Sequence, residues 1–150
     1  MYDAIIVGAR VAGAPTAMLL ARKGHRVLLV DRASFPSDTL STILIWQRGI
    51  AKLEKWGILD TLTSTGLPAN TKFTMDLGDF GLGGWGPPVD GMNESYAPRR
   101  KVLDKIMVDA AIEAGVEFRE GFSVQELITE GDQVVGIRGR SEGGQTIEER

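Results

Sequence analysis

Two glycines and one acidic residue near the N-terminus have the spacing of a nucleotide site. Gly8 and Gly13 enclose the segment GARVAG, and Asp31 follows 23 residues after Gly8. A glycine-rich turn that opens a helix presents unpaired N–H groups and the positive end of the helix dipole to a pyrophosphate. A carboxylate at the end of the next strand accepts hydrogen bonds from a ribose diol and repels a 2′-phosphate. The spacing therefore predicts a site for an adenine dinucleotide with an unphosphorylated ribose, as in NAD or FAD.

Arg10 stands where the usual G-x-G-x-x-G pattern has its second glycine. A side chain there crowds an approaching pyrophosphate. If its stem points outward, however, the backbone N–H of Arg10 stays available and its guanidinium reaches a phosphate oxygen. The alternative interpretation is a helix turn without a nucleotide and with a solvent-facing arginine. We favour the first, because strand, turn, helix, strand and acid all occur in register.

These residues are positioned by a predicted strand–helix–strand unit. The short apolar runs at residues 5–7 and 27–30 are typical of parallel strands that are buried on both faces. The alanine-rich stretch between them predicts a helix that starts near residue 11 or 12, since Pro15 is tolerated only close to a helix start. Residues 116–118 predict a third parallel strand, and the hairpin patterns that follow predict a small antiparallel sheet.

The chain between Asp31 and the third strand departs from a repeated strand–helix pattern. Apolar residues at helical spacing predict one buried helix face: Ile43, Trp46, Ile50, Leu53 and Trp56. Asp38 or Ser41 is the expected N-cap of that helix, although Trp46 and Trp56 have an alternative interpretation as residues that stack on a flavin or substrate. Residues 61–93 predict an inserted β segment with a glycine-rich loop at 81–88 that covers a pocket. A helix over residues 101–114 follows.

Composition excludes several classes of function. The 150 residues carry a net charge of −3, with 43% hydrophobic and 25% charged residues, as expected for one ordinary globular domain. No basic excess indicates nucleic acid, no apolar run indicates a transmembrane segment and no leader indicates secretion, so we expect a cytoplasmic location. The absence of cysteine and the single histidine, His25, argue against disulfides, a thiolate nucleophile and a metal site.

Taken together, segments 5–13, 31–36 and 100–104 make the chain resemble a superfamily of FAD-dependent oxidoreductases, that of the aromatic hydroxylases (flavin monooxygenases) and geranylgeranyl reductases. The resemblance covers the whole chain. It implies an α/β fold, with a Rossmann-like FAD-binding βαβ unit, a parallel sheet and a small antiparallel β insertion. It also implies the following FAD-binding residues: Gly8, Ala9, Arg10, Val11, Ala12, Gly13, Asp31, Arg32, Ser41, Thr42, Arg100 and Val124.

The resemblance assigns a role to each part of this set. Gly8, Ala12 and Gly13 would lie under the pyrophosphate, Asp31 would hold the adenosine ribose, and Arg32 would contact adenine or a nearby phosphate. Three further roles are implied: Arg100 at the phosphate or ribityl region, the backbone of Val124 at adenine, and Ser41 and Thr42 near the flavin. No side chain is assigned a catalytic role.

Members of this superfamily carry a later Gly-Asp motif and a substrate domain, neither of which occurs in residues 1–150. We therefore expect the N-terminal portion of an FAD/NAD(P)-binding domain that is inactive alone. The expected parent is a monooxygenase-type or reductase-type enzyme with NAD(P)H as electron donor and a hydrophobic small-molecule substrate. Two alternatives stay open: the nucleotide-binding half of an NAD-dependent dehydrogenase, and a non-catalytic truncated nucleotide-binding fragment.

Overall fold

The computed structural model describes residues 1–42 and 44–150. Its helices and strands follow one another in this order: β1 (Ala4–Val7), α1 (Gly13–Ala21), β2 (Val27–Val30), α2 (Gln47–Trp56), α3 (Leu59–Thr63), β3 (Phe73–Asp76), β4 (Gly81–Gly84), α4 (Arg100–Glu113), β5 (Glu117–Arg119), β6 (Ser123–Glu130), β7 (Gln133–Arg140) and β8 (Thr146–Glu149). The predicted α/β class is confirmed.

A three-stranded parallel sheet in the order β1-β2-β5 forms the centre of the fold. All four residues of β2 are buried, as its apolar run predicts. Val27 and Leu29 belong to a core shared with α1 and α4, whereas Leu28 and Val30 belong to a second core with Phe122 and with residues of the antiparallel sheet. This central strand therefore joins the two layers that flank it and ends directly at Asp31.

The second sheet is antiparallel, in the order β6-β7-β8, and confirms the predicted hairpins. It lies close to the end of β2, and Gly139 leaves room there for the chain that enters β6. A Cβ atom on Gly139 would lie 2.6 Å from both Phe122 Cε1 and the backbone oxygen of Ser123. The glycine lets the segment that enters β6 pack against β7, and this brings Val124 towards the carboxyl end of the parallel sheet.

The region between the two halves of the parallel sheet differs from the prediction in two respects. Helix α2 begins at Gln47, after an extended and half-exposed Trp46, so Trp46 is not part of a buried helix face. Instead Trp46 stacks on Trp85 with their ring centroids 5.6 Å apart. Half of the predicted glycine-rich loop is strand β4, which pairs with β3. Ile43 lies outside the described residues.

None of the helices within residues 1–42 and 44–150 combines the length and the apolar character needed to cross a bilayer.

Candidate functional site: a dinucleotide cleft

The turn between β1 and α1 is shaped by two glycines. Gly8 has a φ of +100°, which favours glycine, and its N–H donates to Val30 O at 2.8 Å. Gly13 lies against the exit of β1: a Cβ atom there would be 1.7 Å from Gly8 O and 3.2 Å from Ile6 Cγ2. Only glycine permits this approach, so α1 starts directly over the end of β1.

The N-terminus of α1 keeps its backbone donors open. The N–H groups of residues 10–13 donate to no acceptor within residues 1–42 and 44–150. The first bonds of the helix begin later, with Ala14 N–H to Arg10 O at 3.0 Å and Thr16 N–H to Ala12 O at 3.3 Å. Four unpaired donors at the start of a nine-residue helix form an anion site. A pyrophosphate fits this arrangement in both charge and hydrogen bonding.

Asp31 lies at the end of β2 and connects two turns. Its Oδ2 accepts the Ala9 N–H at 2.7 Å, and its Oδ1 accepts the Ala33 N–H at 2.8 Å. The residue is only 8% exposed. Because each carboxylate oxygen has two lone pairs, both oxygens retain one acceptor position. The acid can therefore hold the two turns and a ribose diol together.

A cleft of about 530 Å³ lies between these turns and the start of β6. Its lining includes seven of the predicted site residues: Gly8, Arg10, Ala12, Gly13, Asp31, Arg32 and Val124. Five further residues complete the lining, and sequence reasoning did not select them: Val7, Ala33, Thr39, Phe122 and Ser123. Phe122 and Ser123 directly precede Val124, so the position of that residue was the signal that pointed to them.

The other predicted residues lie outside this lining. Ala9 and Val11 belong to the turn itself, while Ser41 and Thr42 follow Thr39 along the chain. Arg100 stands in the first turn of α4. A contact of each of these residues with a cofactor stays a prediction.

The guanidinium of Arg10 leaves the turn and extends towards α4. Its Nη1 donates to Asp104 Oδ2 at 2.8 Å and to Ser37 O at 3.3 Å, and its Nη2 donates to Ser37 Oγ at 3.1 Å. The group also lies 5.4 Å from the centre of the Phe35 ring. With its stem directed this way, Arg10 leaves its own backbone N–H open, as the first interpretation requires.

Arg100 meets the same carboxylate. Its Nε and Nη2 donate to Asp104 Oδ1 and Oδ2 at 2.9 and 3.0 Å. The Arg100 side chain is 12% exposed and that of Asp104 is completely buried. A buried charge requires partners of this kind, and the bidentate geometry is the strong form of the pair.

Asp38 ties the segment after β2 to α4. It accepts hydrogen bonds from the Arg99 guanidinium and, at 3.3 Å, from the Lys101 N–H in the first turn of α4. The Arg99 hydrogen bond is the main reason that the pKa of Asp38 lies below its usual value. The expectation that Asp38 or Ser41 caps α2 was wrong, because the N-cap of α2 is Trp46. The Asp38 carboxylate instead satisfies the N-terminus of a helix about sixty residues later.

Residues 1–149 match the profile of the FAD binding domain family. The chain belongs to that family. The match confirms the resemblance to flavin-dependent oxidoreductases and supports FAD as the cofactor.

Curated relatives of this FAD binding domain include oxidoreductases and a monooxygenase. One is the probable electron transfer flavoprotein-quinone oxidoreductase YdiS of Escherichia coli, 28% identical over 91% of this chain and 33% of the relative. Another is the FAD-dependent monooxygenase OpS4 of Beauveria bassiana, 26% identical over 93% of this chain and 34% of the relative. The chain thus spans about a third of the length of the curated relatives it matches.

Solved structures that resemble this chain agree with it in fold. The myxobacterial chondrochloren halogenase CndH, a variant of the FAD-dependent halogenases, has a TM-score of 0.86 at 26% identity, over 98% of this chain and 35% of that structure. The anhydrotetracycline hydroxylase OxyS of Streptomyces rimosus has a TM-score of 0.77 at 21% identity, over 98% and 29% of the two chains. The second likeness concerns the fold alone.

Proposed function

We propose that the cleft binds the ADP half of FAD. We propose further that the chain is the FAD-binding portion of a flavin-dependent oxidoreductase of the monooxygenase or reductase type. The observation that carries the proposal is the presence of two features in the lining of one cleft. These are the open N–H groups of residues 10–13 and the Asp31 carboxylate, which keeps two free acceptor positions. An adenosine diphosphate presents the complementary groups, a pyrophosphate and a ribose diol.

The remaining residues of the lining suit the adenine end. Val124 begins the bulged part of β6, which leaves a backbone position beside it out of the regular ladder. Arg32 is exposed at the rim, where a guanidinium can lie on the face of a purine. In this proposal the adenine lies between Arg32 and the Val124 backbone.

Bound FAD supplies the redox chemistry of such enzymes. The role of the chain itself is to bind the diphosphate, to hold the ribose and to orient the cofactor. No side chain takes part in a chemical step. NAD(P)H is the proposed electron donor, by the family resemblance. A hydrophobic small-molecule substrate is supported by the exposed apolar residues around the β3–β4 hairpin, where Trp46, Phe73 and Met75 help to line a pocket of about 360 Å³.

The cofactor assignment can be tested with nucleotide fragments. We expect FAD and ADP-ribose to compete for one site, since both carry the adenosine diphosphate that the cleft fits. We expect 2′-phospho-ADP-ribose to bind at least about fivefold more weakly, because its phosphate would face the Asp31 carboxylate. Titration calorimetry with the purified chain measures all three affinities. Equal affinity for the two ADP-riboses, or no binding of any of the three, would contradict the proposal.

A further inference from the structure

Two arginines converge on one buried carboxylate beside the dinucleotide turn. Nη1 of Arg10 and Nη2 of Arg100 both donate to Asp104 Oδ2, at 2.8 and 3.0 Å. Asp104 is completely buried, whereas the Arg10 side chain is 27% exposed and lines the cleft. The cluster thus extends from the interior of α4 to the wall of the proposed diphosphate site.

The charges of this cluster do not balance. Two guanidinium groups and one carboxylate leave one positive charge, and like charges that share an acceptor oxygen repel each other. Arg10 is the more exposed of the two cations and the one that reaches the cleft. The excess positive charge therefore stands where a second anion, a diphosphate, can offset it.

Arg10 also keeps donors for that anion. A guanidinium has five N–H groups. Arg10 uses three of its N–H groups in hydrogen bonds to Asp104 and Ser37. Within residues 1–42 and 44–150, its Nε–H and one Nη2–H have no acceptor. The Asp104 and Ser37 contacts determine where these remaining donors lie.

We propose that Asp104 is a positioning residue for phosphate recognition: it holds the Arg10 guanidinium beside the turn so that the remaining N–H groups of Arg10 bind the diphosphate. The inference rests on the proposed function of the cleft. It explains how an arginine serves at the position of the second glycine, because Asp104 draws the side chain out of the path of the pyrophosphate and keeps it within reach of a phosphate oxygen.

The decisive comparison is between ADP and adenosine, which differ only in the phosphates. We expect Asp104→Asn to weaken ADP binding about five- to tenfold and to change adenosine binding less than twofold, measured by NMR titration of the purified chain. Arg10→Gly should weaken ADP binding to a similar extent, and the double variant should lose no more than either single one, since Asp104 acts through Arg10. Asp109→Asn is the matched control, because Asp109 pairs with Lys105 on the same helix at 2.5 Å but is 45% exposed. This variant should change neither affinity.

Other results would overturn the inference. An equal loss of ADP and adenosine binding in Asp104→Asn would show a purely structural role, and tighter ADP binding would show that Asp104 withholds Arg10 from the phosphate. If Asp104→Asn does not fold, Arg10→Lys tests the proposal instead, since lysine keeps the positive charge but lacks the planar, forked guanidinium. It should lose as much ADP affinity as Arg10→Gly, and wild-type affinity would overturn the proposal. A wild-type chain that binds neither ligand would instead refute the proposed function, and the inference with it.

Discussion

Replacement of Gly13 by alanine is expected to abolish dinucleotide binding and to lower stability severely. The new Cβ atom would lie 1.7 Å from Gly8 O, less than half of a normal contact, and the obstacle is backbone rather than a movable side chain. Helix α1 would have to move away from β1, which would displace the open N–H groups of residues 10–13. We expect a loss of more than about 3 kcal/mol in the free energy of unfolding and of more than about a hundredfold in ADP affinity. Thermal unfolding and calorimetry measure the two effects.

Gly24→Ala is the matched control for this variant. Gly24 has a φ of +89° but no atom within 4 Å of its missing Cβ. Alanine there should cost only the left-handed backbone conformation, about 1–2 kcal/mol, and should leave ADP affinity unchanged. If Gly13→Ala were as stable as Gly24→Ala and bound ADP as well as the wild type, the close approach of α1 to β1 would be refuted.

Asp31→Ala is expected to weaken ADP binding by about 10- to 150-fold. The ribose loses charge-assisted hydrogen bonds that contribute about 1.5–3 kcal/mol. In addition, the N–H groups of Ala9 and Ala33 lose the acceptors that now hold them at 2.7 and 2.8 Å. The variant therefore combines an effect on the ligand with an effect on the two turns, and calorimetry with ADP measures their sum.

A ligand without the diol separates these two effects. The wild-type chain should prefer ADP to 2′,3′-dideoxy-ADP by more than about tenfold, and Asp31→Ala should lose that preference. The preference of Asp31→Asn, which keeps one carbonyl acceptor, should lie between those of the wild-type chain and Asp31→Ala. If the wild-type chain bound the two nucleotides equally, Asp31 would serve only to connect the turns, and its assignment to the ribose would be wrong.

The part of the site that the sequence could predict is the part built from neighbours along the chain. The apolar runs, the glycines at 8 and 13 and the acid at the end of β2 lie within about thirty residues of one another, and their roles follow from local backbone chemistry. The structure places them as predicted and adds that Asp31 holds both turns. The hydrogen bonds from Asp31 to both turns depend on the distance between the turns in the fold, and the spacing of residues along the chain does not give that distance.

The partners that the sequence could not supply are distant ones. Nothing near Arg10 indicates that its guanidinium meets Asp104 on α4, and nothing near Asp38 indicates that it caps the same helix rather than α2. Trp46 fits a helical spacing, but it lies before α2 with an extended backbone, and its side chain stacks on Trp85 of the inserted segment. In all three cases a tertiary contact outweighs a local preference.

The position of β2 in the parallel sheet has a consequence during synthesis. Strand β2 ends at Val30, but the strand that covers its second edge, β5, begins only at Glu117. At a synthesis rate of about 5–20 residues per second, the backbone N–H and C=O groups of that edge stay unpaired for several seconds. Over this interval the nascent β1–α1–β2 unit exposes an apolar strand edge that can pair with another chain. We therefore expect the nascent β1–α1–β2 unit to pair with other chains more readily before β5 is synthesised than after β5 has covered this edge of β2.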